Sequence, residues 1–265
     1  MNGVLVGQST PKGGWVNLMP NIVVLVKRVP DTNARIVVSG DRVDLSAVKW
    51  VISPYDEFAI ETALQHKEAD GGTVTALTLG PADSDKVLKD AKAIGVDEIV
   101  RVWNESWNEL DSNAIQSALA QAVTDLGADV VYCGKTAADT GAGSTGPGVA
   151  ERLGWASVSN ITDASFAGGI TVTTPVEGGS AKVSVLGNAV ISCDKGNMKV
   201  RKPNVKGIMM AKRAQVNVVS ADAPASSVTI VSQSPPPAKP AGKKYEGGSS
   251  AEEVARLLRD EANVI

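Results

Sequence analysis

The chain has 265 residues, enough to bury a sizeable core in one large domain or in a domain with appendages. A net charge of -3 argues against a nucleic-acid partner, because such proteins carry a basic face or domain. No apolar run reaches the roughly 18 residues of a bilayer span, and two cysteines make no disulfide framework.

Residues 1–18 lack the apolar core of a signal peptide and the Arg-rich amphipathy of a transit peptide. They read as a flexible extension, and the expected compartment is the cytoplasm, or the mitochondrial matrix in a eukaryote. Ile22–Val26 is a β-branched run of the kind that forms a buried parallel strand. Ile36–Val38 and Arg42–Leu45, around Ser39-Gly40-Asp41, predict a short hairpin. A helix opens next: Ser53 is suited to the N-cap, Pro54 to the first turn, and Asp56 and Glu57 to the positive end of the dipole. Phe58, Ala59, Ala63 and Leu64 give that helix an apolar face, and Gly71-Gly72 stop it. His66, the single histidine, reads as a side chain on the helix surface and not as a metal ligand.

The alternation continues. Val74–Leu79 is a predicted strand, Ala82–Ile94 a helix and Ile99–Trp103 a strand. Asp111–Leu126 is a helix with Ile115, Leu119, Ala122, Val123 and Leu126 facing inward, and Asp129–Cys133 is a strand. Strands alternating with helices predict an α/β fold with a mostly parallel sheet covered on both faces. Cys133 and Cys193 end the apolar runs VVYC and VISC and read as buried small hydrophobes. Beyond Gly154, Thr171–Pro175 and Lys182–Leu186 predict an antiparallel hairpin, and Ala189–Cys193 a further strand. Residues 194–213 carry seven Lys or Arg and read as a long loop ending in a short helix. Residues 220–248, rich in Pro, Ala and Ser, read as a tether, and Ala251–Leu258 as a docking helix capped by Ser249 or Ser250. The expected organisation is therefore an extension at 1–18, a nucleotide-binding domain at 19–219 and an arm at 220–265.

The stretch that invites a ligand is Gly134–Gly148, GKTAADTGAGSTGPG, between a buried strand and the predicted helix Val149–Leu153. Ligands of open α/β sheets bind beyond the carboxyl ends of the strands. Small residues let the backbone approach an anion. The amides of Gly143, Ser144, Thr145 and Gly146, with the hydroxyls of Ser144 and Thr145, could cradle a phosphate. The stretch is neither a Walker A loop nor a GxGxxG fingerprint, and a ligand-free loop is the competing reading. No nucleophile–base set and no metal cluster stands out in the sequence.

Five blocks occur in order: MPNIVVLVKRVPDT, SPYDEFAIETAL, TLGP, GKTAADTGAGSTGPGVAERLG and VKGIMMAKR. Together, from about Pro20 to Arg213, they resemble the β subunit of electron-transferring flavoproteins. That resemblance implies a fold like that of the adenine nucleotide α-hydrolases, without catalytic residues, in a heterodimer with an α subunit. It implies a redox-active FAD at the interface with that subunit and a structural AMP in this one. Electrons would come from dehydrogenases, such as acyl-CoA dehydrogenases, and pass to a membrane quinone oxidoreductase or another acceptor. In electron-bifurcating members a second FAD takes the AMP site.

Carried over by position, the nucleotide contacts fall on Leu25, on Ser53, Pro54, Tyr55 and Asp56, and on Leu79. They continue along the glycine-rich loop at Gly134, Lys135, Thr136, Ala137, Asp139, Gly141, Gly143, Ser144 and Thr145. The family's partner-docking segment falls on 193–213, with Cys193, Arg201, Val205, Ile208, Met209 and Arg213 as candidates. Ser53 stands where the family often has Asn, Thr140-Gly141 replace acidic residues, and Val205 replaces a usual Leu. The D-G-D/E-T-like run common in the bifurcating type is absent, which favours AMP. The competing reading is a free-standing adenine-nucleotide enzyme or sensor. The long basic segment and the Pro-rich arm favour the carrier, which needs surfaces for two partners.

Overall fold

The computed structural model describes residues 19–107, 109–196, 198–239 and 241–265. The expected extension at 1–18 lies outside them. In chain order the first elements are β1 (Asn21–Leu25), β2 (Arg28–Pro30), β3 (Val37–Ser39), β4 (Arg42–Asp44), β5 (Trp50–Ile52) and α1 (Pro54–Asp70). Then come β6 (Thr73–Leu79), α2 (Asp85–Ile94), β7 (Glu98–Val102), α3 (Ser112–Asp125), β8 (Val130–Gly134) and α4 (Thr145–Leu153). The chain continues with β9 (Ala156–Ile161), β10 (Asp163–Ser165), β11 (Ile170–Val176), β12 (Gly179–Val185) and β13 (Ala189–Cys193). It ends with α5 (Val205–Arg213), β14 (Asn217–Val219) and α6 (Ala251–Asp260).

Seven strands form one sheet in the order β14-β7-β6-β1-β8-β13-β9. Every pairing in it is parallel. The α/β class read from the alternation is what the chain adopts. The chain builds β6 and β7 outward on one side of β1, then returns to place β8 on the other. The strand order therefore reverses between β1 and β8, and a crevice opens beyond their carboxyl ends.

The side-chain alternation of β1 shows why both faces need cover. Ile22 and Val24 join Ala59, Ile60, Leu64, Val87 and Leu88 in one core, under α1 and α2. Val23 and Leu25 join Leu119, Ala122, Val123, Val149 and Ala150 in the other, under α3 and α4. A three-stranded antiparallel sheet, β10-β11-β12, adds Ile170, Val172, Val183 and Val185 to the first core. The hairpin of β11 and β12 was legible in the sequence, whereas β9, β10 and the short β2–β5 pair were not.

Two compact units emerge from the contacts. One comprises 19–37 and 44–231, and the other 38–43 and 232–265. The first unit thus runs past the expected boundary at 219, because Ala221 is buried in a core and the Asp222 amide bonds Gln121 Oε1 at 2.9 Å. In the second unit Gln233 ties the hairpin tip: its amide reaches the Asp41 carbonyl at 3.0 Å, and its Oε1 accepts the Val43 amide at 3.0 Å. The serine cap expected for α6 is not made. Ser250 Oγ donates backwards to the Glu246 carbonyl at 2.9 Å.

His66 corrects the surface reading, since it is fully buried. Its ring stacks on Phe166 at 4.4 Å between centroids, its Nδ1 lies 3.1 Å from Tyr132 Oη, and Nε2 faces Asp70 Oδ2 at 3.4 Å. Burial lowers the His66 pKa, against the opposing pull of Asp70. A lowered folded-state value means that its contribution is complete above the unfolded value and is lost as pH falls. The unfolding midpoint should therefore drop more steeply for the wild type than for His66→Gln between about pH 7 and about pH 5. Tyr132→Phe removes the hydroxyl alone and should cost about 1–3 kcal/mol in urea titrations at neutral pH.

Candidate functional site

A cavity of about 840 Å³ occupies the crevice beyond β1 and β8. Its floor is built from strand ends: Leu25 ends β1 and Lys27 follows it, Leu77 and Leu79 belong to β6, and Cys133 and Gly134 end β8. One carboxylate holds the floor together. Asp56, in the first turn of α1, accepts the Lys27 amide on Oδ2 at 2.7 Å and the Gly134 amide on Oδ1 at 3.0 Å. Burial pushes the Asp56 carboxyl up to about 7, and the two amides pull in the opposite direction. The approach is close enough to exclude a side chain at 134, where a Cβ would lie 2.4 Å from Asp56 Oδ1 and 2.8 Å from Tyr55 Cβ.

The loop leaving β8 forms the polar wall. Lys135, Thr136, Ala137, Gly143 and Thr145 all line the cavity. Helix α4 begins at Thr145, four residues earlier than expected, so Gly146 and Gly148 lie inside it. Both glycines pack tightly: a Cβ at 146 would meet Cys133 Sγ at 2.8 Å, and one at 148 would meet Gln116 at 2.2 Å. Gln116 anchors the loop through Nε2, which donates to the Ser144 carbonyl at 3.0 Å, and its Oε1 accepts from Arg152 at 2.8 Å. The Thr136 hydroxyl oxygen is buried and has no hydrogen-bond partner. A buried hydroxyl in a cavity wall is costly unless a ligand completes it.

The structure thus brings together Leu25, Asp56, Leu79, Gly134, Lys135, Thr136, Ala137, Gly143 and Thr145 from the sequence-based set. Six others stand off the lining. Ser53 precedes α1 without capping it, and its buried hydroxyl oxygen has no partner, so the cap reading fails while the position holds. Pro54 opens α1, and the Tyr55 ring carries the Lys135 ammonium at 4.8 Å. Asp139 pairs with Lys27 at 2.8 Å. Gly141 turns the loop with a φ of 64° and donates its amide to the Ala137 carbonyl at 2.9 Å. Ser144 contributes its carbonyl to Gln116.

Three contributors were missed. Lys27 has the signal of standing one residue past the strand run. The start of α3 supplies Leu110, Asp111 and Ile115, and its cap is real: Asp111 Oδ1 accepts the Ala114 amide at 2.9 Å. Ser227, Val228 and Ile230 come from the stretch that composition marks as a tether, and no local pattern announces them.

The expected docking segment divides. Cys193 is 1 % exposed at the end of β13. Arg201 donates to buried Glu61 through Nε at 2.8 Å and to Glu68 through Nη1 at 2.6 Å. Burial works against the Glu61 charge, and Arg201 more than offsets it, leaving its carboxyl below the usual range. Val205 is 76 % exposed, and Ile208, Met209, Met210 and Arg213 are exposed beside it on α5. Helix α5 is seated by Gly207, where a Cβ would lie 2.3 Å from the Ala93 carbonyl oxygen of α2.

Comparison with known proteins gives the family of the chain. A family model described as "Electron transfer flavoprotein domain" matches residues 42–224. The chain belongs to the electron transfer flavoprotein β-subunit family. It is 32% identical to "Electron transfer flavoprotein subunit beta" of Bacillus subtilis (strain 168), over 92% of this chain and 100% of that one. The protein of the same name from Syntrophomonas wolfei is 36% identical over 85% of this chain and 89% of its own. "Protein FixA" of Azorhizobium caulinodans is 32% identical over 76% of this chain and 75% of its own. Among the described residues, no group of three or more His, Cys, Asp or Glu is placed to hold a metal ion, and no helix is long and apolar enough to cross a membrane.

Asp56 generates a test with a defined sign. Its folded-state pKa is raised, so its stabilising contribution is full at acid pH and is lost as pH rises through about 7. Wild-type stability relative to Asp56→Asn should therefore fall between about pH 4 and about pH 7, measured as the difference in urea midpoint.

Proposed function

We propose that this chain is the β subunit of a heterodimeric electron carrier and has no catalytic residues of its own. In this reading it pairs with an α subunit, and an FAD at their interface supplies the redox chemistry. The donors are dehydrogenases, acyl-CoA dehydrogenases among them. The acceptor is a membrane quinone oxidoreductase or another oxidant. The residues of this chain do two things: they hold an adenine nucleotide as a structural group, and they present the exposed face of α5 to a partner.

One observation carries the nucleotide reading. The switch-point cavity is lined by the very loop whose glycines and hydroxyls suit a phosphate, and the Thr136 hydroxyl there awaits a partner. The amides at the start of α4, with Thr136 and Thr145, would hold the phosphate of AMP. The apolar wall of Leu25, Leu79, Ile115 and Ile230 would take the base. A second FAD in place of AMP is the alternative. The cavity volume supports it, since about 840 Å³ lies high in the ~300–1,000 Å³ range of small-molecule sites.

Mass spectrometry of the small molecules released from the purified heterodimer separates these readings. One FAD with one AMP supports the carrier with a structural nucleotide, two FAD support the alternative, and ATP turnover by a lone monomer would overturn both. Thr136→Val and Thr145→Ala should each weaken AMP retention by roughly 2- to 10-fold in equilibrium dialysis. Val205→Ala should slow reduction by the donor dehydrogenase while bound nucleotide stays constant. Loss of both together would make α5 a structural element instead of a docking face.

A further inference from the structure

The cavity walls are not held alike. The floor is core, packed from strands and helices. The wall formed by Ser227, Val228 and Ile230 is a strap of irregular chain, and it is gripped from one point. Asp111 Oδ2 accepts the amides of Ser227 at 2.7 Å and Val228 at 3.2 Å. The Asp111 amide donates to Ser226 Oγ at 2.9 Å, and that hydroxyl donates to the Glu109 carbonyl at 3.0 Å. Upstream the strap is fixed by buried Ala221 and by the bond from the Asp222 amide to Gln121. Between these anchors lies only 223–225.

The apolar side chains of the strap give it little hold on the core. Val228 is 70 % exposed and Ile230 is 50 % exposed. A segment with few buried apolar contacts and a handful of accessible hydrogen bonds opens at low free energy, without global unfolding. The other irregular wall, the loop leaving β8, is tied more widely. Lys27–Asp139, Lys135–Asp194 and Gln116–Ser144 hold it to three different elements.

We propose that residues 226–230 are a latched gate over the nucleotide cavity, with Asp111 and Ser226 as the positioning residues that hold it shut. The inference rests on the nucleotide reading given above. A nucleotide enters and leaves by release of the Asp111–Ser227 and Asp111–Ser226 bonds, and the rest of the site stays in place. Because the gate acts on passage, weakening the latch changes the rates of entry and release together and leaves their ratio nearly unchanged.

Two variants weaken the latch by different routes. Ser226→Ala deletes the hydroxyl and leaves α3 untouched. Asp111→Asn keeps an N-cap acceptor for Ala114, since Asn caps as well as Asp. It also turns an amide donor towards the Ser227 and Val228 amides, which cannot accept it. The test is exchange of radiolabelled AMP into and out of the full heterodimer, with hydrogen exchange at the Ser227 and Val228 amides measured on the same samples. Both variants should raise entry and release rates by about 3- to 10-fold, with Kd within about twofold and faster amide exchange at 227 and 228. Unchanged rates in both variants would overturn the gate while leaving the nucleotide site standing. Faster release with unchanged entry would also overturn it, because the strap would then be a contact and not a gate. A wild-type heterodimer that takes up no AMP would remove the nucleotide reading and the gate with it.

Discussion

Asp56 takes the Lys27 amide on one carboxylate oxygen and the Gly134 amide on the other. Lys27 follows β1 and Gly134 ends β8, the two strands between which the sheet order reverses. A parallel sheet leaves its strands splayed at such a point, and their last amides need acceptors. A single side chain in the first turn of α1 satisfies both and fixes where that helix starts. The tie also explains why 134 is glycine, because α1 comes too near for any Cβ. Its cost is a buried carboxylate, visible in the raised pKa of Asp56.

Once the start of α1 is fixed, its later residues fall into place at helical spacing. Glu61 meets Arg201, and His66 meets Tyr132 and Phe166. The crevice and the segment that leads to the exposed face of α5 are therefore built against the same helix. Lys135 adds a second link, since its amide donates to the Cys193 carbonyl at 2.9 Å and its ammonium pairs with Asp194 at 2.9 Å. The two functional surfaces proposed for the chain share one scaffold.

Much of this was legible in the sequence for a physical reason. Parallel strands buried on both faces are runs of Val, Ile and Leu, and the helices between them repeat at 3.6 residues, so NIVVL and VVYC locate themselves. The cavity loop was legible as a run of small residues after such a strand, although Gly141 serves its turn and Gly146 and Gly148 the packing of α4. What escaped depends on tertiary contact. His66 lies in a helix whose apolar face looks complete without it, and only the arrival of Phe166 and Tyr132 buries it. Ser53 has the composition of a cap, yet its hydroxyl points into a buried place with no partner. Residues 226–228 have the composition of a linker, and they are tied to the cap residue of a helix more than a hundred positions away. Composition reports what a segment could bury by itself, and none of these three is held by what it buries by itself.

The charges around the cavity bear on how firmly a nucleotide would stay. Lys27 and Lys135 are the lysines of its wall, and each is already paired, with Asp139 and with Asp194. An incoming phosphate meets ammonium groups whose fields are largely cancelled, so long-range attraction into the crevice is weak. Retention then falls to short-range partners: the amides at the start of α4, the hydroxyls of Thr136 and Thr145, and the apolar wall. Such partners act only after the ligand is seated, and they favour slow release over fast capture. That would suit a nucleotide kept as part of the fold, as proposed above, better than a substrate exchanged at each turnover.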